Sequence, residues 1–257
     1  MAAKKKKANT WKLVVALIIT GILVMLGFNI YGWWLERRAR FVRYEAFGIE
    51  VPTNYTIHGI DVSRYQEVID WESVKAMDVE GVKLGFSFMK ATEGNESVDR
   101  FFKRNWKHAQ DAGVTRGAYH FFIATKSGKT QAENFIKTVE LQPGDLPPVL
   151  DVEKTGGVSH KKLRERLREW LVTVENYYGV KPIIYTYVDF YQQVLKDEFD
   201  DYPLWVAHYL QKEKPRIYRP WHFWQYSEQG HVNGIFYKVD FNAFNGDSTA
   251  FKELLIH

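Results

Sequence analysis

The stretch Leu146–Gly157, LPPVLDVEKTGG, decides how the fold is interpreted, because an apolar run in it ends in two acids and then in glycines. Asp151 and Glu153 are two residues apart. On a strand their side chains leave the same face, roughly 6.6–7 Å apart along the chain. Such a pair indicates either a strand entering a solvated turn or an acidic site at the rim of a barrel. The other strands decide between these two interpretations.

Short β-rich runs alternate with helical runs on both sides of this stretch. The predicted strands cover 57–62, 84–91, 117–122, 148–153, 182–187, 203–209, 221–226 and 237–242. The predicted helices cover 71–78, 99–111, 129–140, 159–178 and 189–197. Alternation of this kind is typical of a parallel α/β sheet, and eight short strands in about 200 residues fit a closed barrel better than an open sheet. The last three strands have too little chain between them for full helices. We therefore predict an α/β fold with an irregular TIM-like (β/α) barrel.

The helix predicted over 159–178 carries the clearest start and stop signals. Ser159 precedes it as a candidate N-cap, and Gly179 follows it as a stop. Its apolar residues recur at helical spacing and predict one buried face: Leu163, Leu167, Trp170, Leu171 and Val174.

The N-terminus carries a long apolar run. Residues 13–35 contain no charged side chain, and about 20 apolar residues suffice to cross a bilayer as a helix. The run ends in Trp33 and Trp34, which fit interfacial aromatics, and is followed by ERRAR. An uncleaved anchor fits this length best, so a lipid bilayer is a predicted partner. A cleaved secretory signal and a buried helix of a soluble protein are the alternatives.

The chain divides into four predicted segments. A short basic tail covers 1–12, the transmembrane anchor 13–35, a juxtamembrane linker 36–56 and the catalytic barrel 57–257. Net charge is +4, but residues 1–45 carry +7 and the remainder therefore −3. The main domain thus gives no reason to expect nucleic-acid binding. Cysteine is absent, which excludes disulfides and a cysteine nucleophile.

Polar and aromatic residues follow nearly every predicted strand. In a (β/α) barrel the chemistry lies at the carboxyl ends of the strands, so these side chains are expected to converge. One acid at a strand end is usually a cap or a turn residue, but acids at four strand ends are harder to explain that way. The candidates are Asp61, Glu93, Tyr119, Asp151, Glu153, Tyr187, Trp205, Trp224, Gln225 and Asp240.

Two carboxyl groups in one partly enclosed space resist ionising together. One of them then serves as a general acid near neutral pH beside a charged neighbour, which is the arrangement that glycosidic bond cleavage requires. Aromatic rings offer flat apolar faces suited to sugars. The histidines lack the short spacing of a metal site, and no phosphate-binding glycine loop occurs. We therefore expect no metal and no cofactor.

The chain resembles the glycoside hydrolase family 25 lysozymes, the Chalaropsis-type muramidases, over residues 57–246. The resemblance rests on eight motifs that occur in order: GIDVSRYQEVIDWESVK, FSFMKATEG, RGAYHFF, PPVLDVE, PIIYTY, LWVAHY, WQYS and VDFNAF. It implies an irregular β/α barrel that hydrolyses the β-1,4 bond between N-acetylmuramic acid and N-acetylglucosamine in peptidoglycan.

The resemblance also implies roles for individual residues. Glu153 is the expected general acid, Asp151 its charge-stabilising or substrate-assisting partner, and Asp61 and Asp240 complete the acidic site. The expected glycan-contacting residues are Tyr119, Glu93, Tyr187, Trp205, Trp224 and Gln225. A substrate outside the cytoplasm implies a cytoplasmic N-terminus and a periplasmic or extracellular barrel, with no obligate protein partner. The alternatives are a related glycosidase for chitin-like chains and a non-catalytic wall-binding barrel.

Overall fold

The structure, a computed structural model, describes residues 3–36, 40–211 and 213–257, with the side chains of 3–10 and 33–36 excepted. The chain forms two compact units, Met1–Ala39 and Arg40–His257. The first contains helix α1, Ala3–Glu36. Within it, Trp11–Gly32 is long and apolar enough to cross a membrane, and none of that stretch is buried. This fits either an anchor or a signal sequence. The predicted interfacial side chains of Trp33 and Trp34 lie outside the described part.

The second unit is built on a closed barrel of eight strands. Its order around the barrel is β3-β12-β11-β10-β9-β8-β7-β5, and β3 pairs with β5 to close it. The barrel strands are β3 (His58–Val62), β5 (Val82–Glu93), β7 (Thr115–Phe121), β8 (Val149–Asp151), β9 (Ile183–Tyr187), β10 (Leu204–Ala207), β11 (Phe223–Gly230) and β12 (Val239–Phe244). Two short strands, β4 (Asp78–Val79) and β6 (Ser97–Val98), pair with β5 outside the ring.

The barrel is irregular in the way the sequence predicts. Strand β12 runs antiparallel to both of its neighbours, while the other ring pairings are parallel. In the described residues of 208–222 and 231–238 no helix separates the last three strands. The helices of this unit are α2 (Trp71–Ala76), α3 (Phe102–Asp111), α4 (Gly128–Thr138), α5 (His160–Tyr178), α6 (Val188–Phe190) and α7 (Ser248–Leu254).

Helix α5 confirms its sequence signals. The Ser159 side chain accepts a hydrogen bond from the backbone N–H of Lys162, and Gly179 ends the helix at φ 73°. All five residues of the predicted apolar face are buried. The helix predicted over 189–197 differs: after α6 the chain forms a π-turn, Tyr191–Leu195, and a 3₁₀ turn, Lys196–Phe199.

Aromatic side chains fill the barrel interior, up to the level where the parallel strands end. The rings of Phe88 and Trp205 stack with centroids 4.4 Å apart. The Phe88 ring leaves no room for a side chain at position 117, because a Cβ on Gly117 would lie 2.4 Å from that ring. These closely packed rings therefore exclude water from the barrel interior.

The segment predicted as a linker, 36–56, contains a β-hairpin that belongs to the second unit. Strands β1 (Phe41–Tyr44) and β2 (Ile49–Pro52) pair antiparallel, and Tyr44, Phe47, Ile49 and Val51 are buried. Phe47 packs edge-on against Phe241 of β12, with centroids 5.2 Å apart. The physical reason is this buried apolar side, which a solvated linker would not carry.

Candidate active site

A cleft of about 230 Å³ opens at the carboxyl ends of the parallel strands. Asp240 reaches this rim differently from the other acids: it is the second residue of β12, and the antiparallel course of that strand brings its start to the same end of the barrel. The cleft is lined by Asp61, Val62, Ser63, Tyr65, Gln66, Lys90, Tyr119, Phe121, Asp151, Glu153, Tyr185, Trp205, Gln225 and Asp240. All four predicted acids are thus brought together.

Asp61 and Asp240 face each other as direct partners in the β3–β12 ladder. Asp61 Oδ2 accepts hydrogen bonds from Gln225 Nε2 and from Asn242 Nδ2, both at 2.8 Å. Burial raises the pKa of Asp61 to about 6, although the two amide donors oppose that rise. Burial and then the charge of Asp61 raise the pKa of Asp240 to about 9. The pair therefore retains a proton at neutral pH.

The two amides that support Asp61 are themselves fixed. Trp205 Nε1 donates to Asn242 Oδ1 at 2.8 Å, and Tyr185 Oη donates to Gln225 Oε1 at 2.7 Å. A second hydroxyl, that of Tyr209, also donates to Gln225 Oε1. Because both amide oxygens already accept from donors, their NH₂ groups point towards Asp61. Asp61 Oδ2 thus lies in a network of side-chain hydrogen bonds.

Asp151 and Glu153 form the second pair. Strand β8 ends at Asp151, two residues earlier than predicted, so Glu153 lies in the loop beyond it. Both side chains line the cleft, but Asp151 is buried and its Oδ1 has no hydrogen-bond partner. Burial, followed by the negative charge of Glu153, raises the pKa of Asp151 well above its usual range. This pair is the less satisfied of the two.

Three of the six predicted glycan-contacting residues line the cleft: Tyr119, Trp205 and Gln225. Trp224 does not. It is fully buried, its indole N–H donates to the carbonyl of His208 at 3.0 Å, and its ring packs against Phe41 of the hairpin. Successive side chains of a strand point to opposite faces, so Gln225 faces the cleft and Trp224 the hairpin.

The remaining two predicted residues lie beside the cleft without lining it. Tyr187 is 40% exposed and packs against Phe190. The carboxylate of Glu93 is bonded to the ammonium of Lys90 at 2.6 Å. Among the described residues, no group of three or more acids and histidines is arranged to hold a metal ion.

Sequence reasoning missed Lys90, Tyr185 and Asn242 as members of the site. Asn242 had a usable signal, because it lies two residues after Asp240 and period-2 alternation puts both on one face. Tyr185 lies near the carboxyl end of the predicted strand 182–187, two residues before Tyr187, and was recognisable from that position. Lys90 follows Phe86 and Phe88 at period 2, but a lysine near a strand end is usually a solvated charge, so this alternation did not single it out.

Comparisons with known proteins agree with this geometry. The family described as Glycosyl hydrolases family 25 matches residues 60–235. Lysozyme M1 of Streptomyces globisporus is 33% identical over 207 residues, which cover 75% of this chain and 69% of that protein. The Escherichia coli K12 protein called Uncharacterized protein YegX is 50% identical over 202 residues, 79% of this chain and 74% of its own.

Solved structures give the same result. A family 25 glycosyl hydrolase from Bacillus anthracis superposes with a TM-score of 0.70 at 33% identity, covering 79% of this chain and 94% of that one. A bacterial lysozyme from Streptomyces coelicolor gives a TM-score of 0.70 at 32% identity, with 77% and 96% covered. With its closed barrel and its four clustered acids, this chain belongs to glycosyl hydrolase family 25 and is a glycosidase of the lysozyme type.

Proposed function

We propose that this chain is a membrane-tethered muramidase that hydrolyses the β-1,4 bond between N-acetylmuramic acid and N-acetylglucosamine in peptidoglycan. The observation that carries the proposal is the convergence of four carboxyl groups in one cleft, with Asp61 bonded to two protein amides and Asp151 and Glu153 also lining the cleft. The lysozymes among its relatives support the substrate class.

In this proposal Glu153 is the general acid. It follows the end of β8 at the cleft and is less enclosed than Asp151, so it is placed to protonate the glycosidic oxygen of a strand lying along the rim. Proton donation turns the departing sugar into a neutral alcohol. Positive charge then develops at the anomeric carbon of the muramic acid residue. The oxygen of a water molecule bonds to that carbon and gives its proton to a carboxylate of the cleft, which leaves a reducing end.

Asp151 is the partner that stabilises this charge. Its side chain lines the cleft and offers a carboxyl acceptor for a substrate donor such as the N–H of the 2-acetamido group. A carboxylate there orients the acetamido group and offsets the developing positive charge. Asp61 and Asp240 complete the acidic site, and Tyr119 and Trp205 offer ring surfaces to the sugars.

The apolar helix α1 supports tethering to a bilayer, with the N-terminus in the cytoplasm and the barrel in the periplasm or outside the cell. Peptidoglycan lies on that side of the cytoplasmic membrane. The tether would keep the hydrolase near its substrate at the membrane surface.

The test is hydrolysis of purified peptidoglycan by the full chain in mild detergent, read as new reducing ends. Glu153→Gln is expected to lower the rate by at least about two orders of magnitude, as is typical when a positioned acid is lost. Glu165→Gln, on the exposed face of α5, is the matched control and should keep wild-type activity.

Product analysis separates the alternatives. Muramic acid at the new reducing ends supports the proposed bond. N-acetylglucosamine at those ends would mean that the other β-1,4 bond of the same strand is cleaved. Faster hydrolysis of chitin oligosaccharides than of peptidoglycan would assign the cleft to a different glycan. Equal release of reducing ends by the wild type and by Glu153→Gln would refute the role of Glu153 as general acid.

A further inference from the structure

Lys90 brings a positive charge into a cleft that otherwise gathers acids. Among the described residues that line the cleft, it is the one lysine or arginine. Its side chain is only 12% exposed, so it is not a solvated surface charge. A buried ammonium loses hydration and persists only where other groups compensate it.

Lys90 lies on the same face of β5 as the core residues Phe86 and Phe88, and a β-bulge after it brings Glu93 to that face. The register of β5 against β7 shifts between Lys90, which pairs with Tyr119, and Thr92, which pairs with His120. Without this shift, residues 90 and 93 would point to opposite faces of the strand. With it, Lys90 Nζ and Glu93 Oε2 meet at 2.6 Å on the same side.

The ammonium is fixed close to Asp151. It lies 4.5 Å from the centroid of the Phe121 ring, and Phe121 is the direct partner of Asp151 in the β7–β8 ladder. Its two contacts, to the carboxylate and to the ring face, hold it in one position. The positive charge of Lys90 thus lies near the end of β8.

The acids of the cleft differ in what stabilises their ionised forms. Asp61 accepts from two amides, whereas Asp151 Oδ1 accepts from nothing. The nearby positive charge is therefore the main feature that favours an anion at this place. Other titratable or charged groups face Asp151 from its own loop and from β3, β5, β7, β9 and β12: Glu153, Asp61, Glu93, Tyr119, Tyr185 and Asp240.

We propose that Lys90 is a positioning residue that sets the pH above which Asp151 is ionised, and that Glu93 holds and partly offsets its charge. This inference rests on the proposed muramidase function. The negative neighbours and burial favour the protonated acid, and the ammonium opposes them through space. Lys90 acts through Asp151 rather than on the substrate.

The experiment compares two substitutions with opposite electrostatic signs. Lys90→Met keeps a long unbranched side chain and removes the positive charge. It should move the acidic limb of the kcat/KM–pH profile on soluble glycan strands upward by about one pH unit, so that activity below the limb falls about tenfold. Glu93→Gln removes the offsetting negative charge and should move the same limb downward by a smaller amount. Lys90→Arg should leave the limb near its wild-type position.

Opposite shifts distinguish electrostatics from structural support. If the ion pair only stabilised the fold, both variants would lower activity at every pH and leave the limb in place, and that result would overturn the proposal. A second readout does not depend on turnover: the titration midpoint of the ¹³C-labelled carboxyl of Asp151, assigned by its loss in Asp151→Asn, should rise in Lys90→Met. Should Lys90→Met fail to fold, the downward shift in Glu93→Gln still decides.

If the wild-type chain releases no reducing ends, the muramidase assignment fails. The Asp151 midpoint in Lys90→Met and Glu93→Gln then still confirms or refutes the role of Lys90.

Discussion

Asp61 and Asp240 lie opposite each other across two strands, whereas Asp151 and Glu153 follow one another along a single strand end. In the first pair, Gln225 Nε2 donates to Oδ2 of Asp61 at 2.8 Å and lies 3.5 Å from Oδ2 of Asp240. In the second pair Asp151 is equally buried, yet one of its oxygens has no partner. The same chemical group is thus held in two different ways within one cleft.

This difference indicates that the first pair supports the fold and that the second pair is placed for chemistry. A buried acceptor that already has donors holds its surroundings in one arrangement, and losing it leaves those donors unsatisfied. A buried acceptor without a donor costs stability and persists where a ligand completes it. We therefore expect substitutions in the first pair to change stability, and substitutions in the second to change activity.

The largest expected effect tests this contrast with matched substitutions. Asp151→Asn should lower the rate of peptidoglycan hydrolysis on the order of 100-fold, because a neutral amide cannot offset developing positive charge. Its free energy of unfolding should change by less than about 1 kcal/mol, since Oδ1 of Asp151 accepts no hydrogen bond from the protein.

Asp61→Asn is the counterpart. It places an amide among the donors of Gln225 and Asn242, and it should lower the free energy of unfolding by about 1–3 kcal/mol. Urea titrations of both variants at one pH measure the difference. Equal losses of stability would contradict the contrast between the two pairs.

The pH dependence of stability gives the next effect. The folded state holds the Asp240 proton up to a pKa of about 9, whereas the unfolded chain releases it near 3.8. The contribution of Asp240 to stability is therefore highest at low pH and falls as the pH rises towards 9. We expect a decline of about 1 kcal/mol per pH unit between pH 7 and 8.5, and a flatter one in Asp240→Asn.

The buried histidines do not change the stability between pH 7 and 8.5. Burial lowers the pKa of His58 to about 4 and of His120 to about 3, so both contribute a rise of stability that is complete near their ordinary value of 6.5. Chemical denaturation at pH 7 and 8.5 measures the decline. A stability that rises over this range in the wild type would show that Asp240 is ionised in the folded chain.

The smallest effect probes redundancy in the bonded network. Tyr209→Phe removes one of the two hydroxyls that donate to Gln225 Oε1 and leaves that of Tyr185 in place. The free energy of unfolding should fall by less than about 1 kcal/mol, and activity should stay within about twofold. A loss as large as that of Asp61→Asn would mean that Gln225 depends on both hydroxyls.

Much of the site was predictable because strand alternation is local. The spacing of Asp151 and Glu153 put both on one side, and the same rule applied to Asp240 would have found Asn242. The rule failed at Trp224, because residues 223–226 are buried on both faces of β11 and their pattern does not show which face is the interior. The hairpin was missed for a related reason, since its partners Phe241 and Trp224 are remote in the chain.

The sequence by itself determined the barrel, the apolar N-terminal helix and the family, since alternating strands, an uncharged run and ordered motifs are all written along the chain. Only the tertiary structure decided which acid faces which partner. Asn242 and Asp61 are 181 residues apart and meet because β12 turns back to close the barrel. Glu93 meets Lys90 because one bulge in β5 changes the face of Glu93. Contacts of this kind depend on closure and register, and short-range periodicity encodes neither.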